Sequence, residues 1–202
     1  MTDSVRDLED PHLEDTSRVD QILMRVLPTV ERRIERVLPQ AVSRALIEFL
    51  VFGIKQAWAC LFGGLLLAGI IITSFAYPES APVTRYDALV MYAVAIQAVF
   101  LITRLERPSE AAVIFIFHIV GTAMEVFKTE VGSWTYPEDS LLRIGNVPVF
   151  SGFMYAAVGS YLARVSRVFD FRWTRYPSII WTLGLAVGIY VNFFTHLYWY
   201  DI

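Results

Sequence analysis

His118, Glu125 and His196 are the residues best able to do chemistry, because each stands in an apolar stretch where an ionisable side chain is costly. His118, Thr122 and Glu125 are spaced i, i+4 and i+7, so one helix face carries all three. Asn192 and His196 share a face in the same way, as do Ser151 and Tyr155. A carboxylate and an imidazole held together can exchange protons with a ligand, with Glu125 and His118 as the catalytic pair. Two imidazoles and a carboxylate also suit zinc or non-haem iron, which makes His118, Glu125 and His196 a candidate divalent-metal set. No HxxxH or HxxE pair supports that set, and no other cofactor is implied. A third alternative is a polar network that joins helices without chemistry. Trp134, Tyr136, Tyr155, Asn192 and His196 are the candidate substrate-binding residues.

The elements that must position these groups are read from the distribution of apolar residues. Of 202 residues, 55% are hydrophobic, and the excess falls almost wholly after residue 56. Crossing a hydrocarbon core takes roughly 20 apolar residues of helix. Segments 57–77, 86–103, 110–127, 148–168 and 178–200 meet or approach that length. Helices are expected because strands with open edges would leave backbone groups unsatisfied in lipid. Pro78, Pro108, Pro148 and Pro177 mark the boundaries. Tryptophan and tyrosine gather near the same edges, at Trp58, Tyr77, Tyr86, Trp134, Tyr136, Trp173, Tyr176, Trp199 and Tyr200. The fold class expected is an all-α, polytopic membrane bundle of about five transmembrane helices.

Five crossings put residues 1–55, 104–109 and 164–176 on one side, with fourteen Lys and Arg, and 78–85 and 128–147 on the other, with three. The positive-inside rule makes the basic side, and the N-terminus, cytoplasmic. Glu125, His118, Ser151, Tyr155, Asn192 and His196 then all fall in the outer half of the bilayer, beside the 128–147 loop. A net charge of −3 gives no reason to expect nucleic acid as a partner. The partners implied are the bilayer and a lipid or isoprenoid ligand.

The domain reading has three parts: an acidic tail over 1–18 expected to be disordered, an amphipathic segment over 19–55, and the bundle over 56–202. In the second part apolar positions from Ile22 to Leu38 recur at helical spacing, interleaved with Arg25, Arg32, Arg33 and Arg36. Pro28 and Pro39 are expected to kink it. Such a helix lies on anionic headgroups, or packs against the cytoplasmic end of the bundle. Gly152, Ala156 and Ser160, and Gly184 and Gly188, recur at intervals of four and allow close helix approach, within the bundle or across a dimer seam. The lone Cys60 reads as a small buried hydrophobe. Gln97 reads as an interhelical hydrogen-bonding group.

The run EVFKTEVGSWTYPE from Glu125, the run GNVPVFSGFMYAAVGSYLAR, and EFLVFGIKQAWACLFGGLLLAGIIIT over 48–73 carry a resemblance. Over 45–202 the chain resembles the YoaT-like family of bacterial integral membrane proteins, a domain of unknown function. The resemblance implies a bacterial cell (inner) membrane location. It also implies further membrane helices after residue 202, with this chain a C-terminally truncated form. The order of Glu125, Gly132, Trp134, Tyr136 and Pro148 is more distantly similar to membrane carotenoid cyclases and hydratases. That likeness implies Glu125 as a proton donor, with Trp134 and Tyr136 stabilising cationic charge. Val149 and Phe150 stand where those enzymes carry paired glutamates.

Three functions are expected from these readings: an enzyme acting on a lipid or isoprenoid at an outward-facing polar site, a small-solute or proton-coupled carrier, and a non-catalytic docking module using residues 19–47.

Overall fold

The computed structural model describes residues 18–195 apart from 170, 172 and 173. His196 and nearly all of the acidic tail lie outside the described residues. The elements are α1 (Arg18–Ile34), α2 (Gln40–Ala59), α3 (Leu61–Ala76), α4 (Arg85–Ile102), α5 (Pro108–Glu130), β1 (Arg143–Ile144), β2 (Val147–Pro148), α6 (Phe150–Val168) and α7 (Ile179–Thr195). Among the described residues the fold is all-helical apart from the two-residue pair β1–β2.

Local chemistry sets the helix ends. Pro108 occupies the first turn of α5, where its missing N–H costs nothing, and the Arg107 N–H is taken by the Glu110 carboxylate at 2.8 Å. Thr84 caps α4 and shares a hydrogen bond with Asp87 at 2.6 Å. Pro28 sits inside α1 without ending it, and Pro39 precedes α2. The helix containing residue 55 runs on to Ala59, and the chain breaks at Cys60, where α2 and α3 meet at 65°. Cys60 is exposed at that break and not buried.

α4 and α5 are each long and apolar enough to cross a membrane, and α2 with α3 qualifies as a bent pair. α7 is apolar over 17 residues, and none of them is buried. Phe62 and Leu66 of α3, Leu89, Ala93 and Phe100 of α4, Ile114 of α5, and Phe150 and Ala156 of α6 form the core.

The antiparallel pair α5–α6 is the tightest contact, and glycine makes it so. A Cβ on Gly121 would stand 2.3 Å from the Tyr155 ring, one on Gly152 2.2 Å from Thr122 Oγ1, and one on Gly159 2.8 Å from Phe117. The row Gly152, Ala156, Ser160 is therefore buried inside this chain, whereas Gly184 and Gly188 have nothing within 4 Å.

Two ends of the bundle are distinct. At one, α1 packs Val19 and Leu23 on Val168, and Lys55 joins Asp20 at 2.8 Å and the Val168 carbonyl at 3.2 Å. The 103–107 turn closes this end through Arg167, which donates to the Leu105 carbonyl. At the other end the 131–149 segment is clamped to the start of α4. Asp87 accepts the Leu141 and Leu142 N–H groups at 2.7 and 2.9 Å, and Arg85 forks onto Glu138 at 2.8 and 2.5 Å.

Candidate functional site

Glu125 lies in the second-last turn of α5 and is buried. The helix ends one turn later in a reversal: Ser133 N–H bonds the Lys128 carbonyl, Gly132 N–H bonds that of Thr129, and Gly132 takes a φ of +76°. This left-handed cap needs glycine and sends the chain back over α5. Trp134 and Tyr136 return with it. Trp134 Nε1 donates to Glu125 Oε2 at 2.9 Å, and the Tyr136 hydroxyl donates to the same oxygen at 2.6 Å. Tyr155 arrives from α6 across Gly121 and donates to Oε1 at 2.6 Å. One carboxylate thus accepts three hydrogen bonds from three aromatic side chains, two of them in one short loop.

That arrangement fixes the carboxylate as an acceptor toward every neighbour named here. It also holds the Tyr136 phenol in its neutral form: burial raises its pKa first, and the Glu125 carboxylate raises it further. The carboxylate and its three donors form one hydrogen-bonded cluster that ties α5 to the returning loop and to α6.

His118 is two turns down α5 and is not among the partners of Glu125. Its ring stacks on Phe153 at 4.4 Å and lies against the Gly152 backbone. Thr122 donates to the His118 carbonyl at 2.8 Å. Both side chains line a cleft of about 500 Å³ with Ile119, Ala123, Val126 and Ile144. Ile144 is brought there by the β1–β2 hairpin, whose two-residue turn uses Gly145 at φ +59°. Ser151 is buried near the start of α6, and its Oγ has no hydrogen-bond partner among the described residues.

Asn192 is exposed on α7 and joins none of these contacts. α7 reaches this end of the bundle through Phe194, 4.8 Å from Phe127, and Phe193, under Lys128 Nζ at 4.5 Å. His196 lies outside the described residues. Among the described residues no group of three or more His, Cys, Asp or Glu side chains is placed to hold a metal ion.

A second polar cluster sits at the opposite end of the same helix pair. Glu106 accepts from Arg164 at 3.1 and 3.3 Å, from Ser160 at 3.1 Å, and from Gln97. Both Glu106 and Arg164 side chains are wholly buried. Arg164 also lies 4.5 Å from the Phe100 ring centroid, and Arg167 pairs with Glu110 at 3.2 Å. Sequence reasoning counts Arg164 and Arg167 as basic loop-facing residues, and its reading of Gln97 as an interhelical hydrogen-bonding group agrees with the bond to Glu106. The usable signal was Glu106, an acid between two helices that stands within reach of the basic end of a third.

Residues 48–202 match the family described as "Protein of unknown function (DUF817)". Over 159 residues the chain is 40% identical to "Uncharacterized protein YoaT" of Bacillus subtilis (strain 168), covering 79% of this chain and 60% of that relative. The chain therefore spans less than two thirds of the relative's length. No solved structure matches.

Proposed function

The chain belongs to the DUF817 family, and we propose that it is an integral membrane protein whose Glu125 site acts by proton transfer on a lipid or isoprenoid. About five crossings are assigned: the bent α2–α3 pair, α4, α5, α6 and α7. Pairing of Arg164 with Glu106 and of Arg167 with Glu110 removes the charge that would otherwise argue against α6 as a crossing. The excess of Lys and Arg at the α1 end makes that end cytoplasmic, in a bacterial cell membrane, with α1 at the cytoplasmic surface.

The observation that carries the reading is the three-donor cage on Glu125 beside a largely apolar cleft. Abstraction runs through a phenol. A ligand proton passes to the phenolic oxygen of Tyr136 or Tyr155 while that phenol's own proton passes to Glu125. The ligand is left deprotonated, the phenol restored and the carboxyl neutral. Return of the proton to a different ligand atom completes the cycle. His118 and Thr122 on the cleft wall orient the ligand. The test is mass spectrometry of lipid extracts from cells lacking the gene, carrying it intact, or carrying Glu125→Gln. A lipid change that depends on Glu125 is expected; identical profiles in all three would overturn the reading.

The buried Glu106–Arg164 cluster favours a second reading, a proton-coupled carrier, because polar groups then stand at both ends of α5–α6. Glu110 and Glu125 are about 22 Å apart along α5 at ~1.5 Å per residue. Phe117, Gly121, Ala156 and Gly159 fill the interval by close packing. A carrier requires pH-dependent flux in liposomes that either Glu125→Gln or Glu106→Gln blocks.

A further inference from the structure

Beside the cage, a cavity of about 160 Å³ is lined by Ile70, Leu89, Phe150 and Met154 on its apolar walls, and by Tyr136, Ser151, Tyr86 and Arg85. Tyr136 belongs both to this lining and to the Glu125 cage. Its single hydroxyl proton is committed to Glu125, and the Trp134 N–H also bears on its oxygen, so Tyr136 can only accept from a ligand. The Ser151 side chain is 1% exposed and its Oγ has no partner, so it can donate and accept. A buried hydroxyl left unmatched is an anomaly that a ligand would resolve. Arg85 adds no anion preference, because Glu138 already occupies its fork.

We infer that this cavity receives the hydroxyl end of an aliphatic or prenyl alcohol, which donates to the Tyr136 oxygen and accepts from Ser151. A carbonyl would satisfy Ser151 and face the Tyr136 lone pair with another. A phosphate would bring charge to a guanidinium already neutralised. A hydroxyl on a short apolar chain matches both groups and the walls. The inference rests on the proton-transfer reading and narrows its ligand to the class of alcohols.

The test uses the full chain in detergent and a short aliphatic alcohol carrying a photoreactive diazirine. Saturable labelling of the loop containing Tyr136 or of the start of α6 is expected. Competition by 1-pentanol, and none by pentyl phosphate, is also expected. Ser151→Ala should lower labelling about tenfold, and because Ser151 Oγ has no partner to lose, the variant should unfold at a temperature no lower than that of wild type. Met154→Trp, at a partly exposed wall, should block labelling by volume without touching a hydrogen bond. Labelling that ignores both substitutions, or that the phosphate competes equally, would overturn the inference. If labelling fails while a Glu125-dependent lipid change persists in cells, the alcohol assignment falls and the proton-transfer reading stands.

Discussion

The Tyr155 ring crosses α5 over the bare backbone of Gly121 and ends with its hydroxyl 2.6 Å from the Glu125 carboxylate. The glycine and the hydrogen bond are therefore one device. Gly121→Ala would set a Cβ 2.3 Å from the ring, which must move. A cost of about 1–3 kcal/mol is expected for such overpacking. Thermal unfolding in detergent should show it, and in a Tyr155→Ala background, where the obstructed ring is gone, Gly121→Ala should cost little further.

Glu106 and Arg164 should behave as a mutually dependent pair. Removing either partner alone leaves a buried charge without its counter-charge, a loss of about 3–5 kcal/mol. Arg164→Met combined with Glu106→Gln should be far less damaging than the two single losses added together. A double-mutant cycle on unfolding midpoints checks this; additive losses would deny the coupling.

Asp87 ties the 131–149 segment to α4 by two backbone hydrogen bonds. Asp87→Asn removes the charge that strengthens them, so local opening should become easier by about 1–2 kcal/mol. Hydrogen exchange at the Leu141 and Leu142 amides should then speed up by roughly tenfold or more, while amides in the middle of α4 should keep their rates.

Alkaline pH should weaken the fold through Tyr136. Its pKa is raised by burial and by Glu125, so the folded chain holds this proton more tightly than the unfolded chain. The contribution is full below the ordinary tyrosine pKa of about 10 and declines as pH rises above it, since the unfolded chain then releases a proton that the folded chain keeps. Unfolding midpoints should fall with pH in that range, and the Tyr136→Phe variant should show a shallower fall.

Much of the helical layout was legible because it is punctuated. Pro108 marks the first residue of α5, and Pro148 and Pro177 stand within two residues of α6 and α7. The 65° break at Cys60 carries no such mark: no proline stands there, and the apolar run continues across it. Spacing along α5 put His118 and Glu125 on one face, yet sharing a face does not bring two side chains into contact when they lie two turns apart. The partners of Glu125 instead come from a reversal at Gly132 and from a neighbouring helix. Arg164 escapes sequence reading for a related reason. Counting charges near a helix end assumes they reach water, whereas the acid in the preceding turn draws this one inward.

Three buried acids at α5, Glu106, Glu110 and Glu125, take side-chain partners from later in the chain, Glu110 from Arg167. Glu125 waits for Trp134, Tyr136 and Tyr155, and Glu106 for Ser160 and Arg164, although Gln97 precedes it. A nascent chain leaving the ribosome would thus present α5 and the turn before it to the bilayer with three carboxylates that no later residue can yet shield. Committing that helix alone is expensive, and committing it with α6 is not. Biogenesis should therefore deliver α5 and α6 together as a hairpin, with release of α5 delayed until residue 167 has been synthesised.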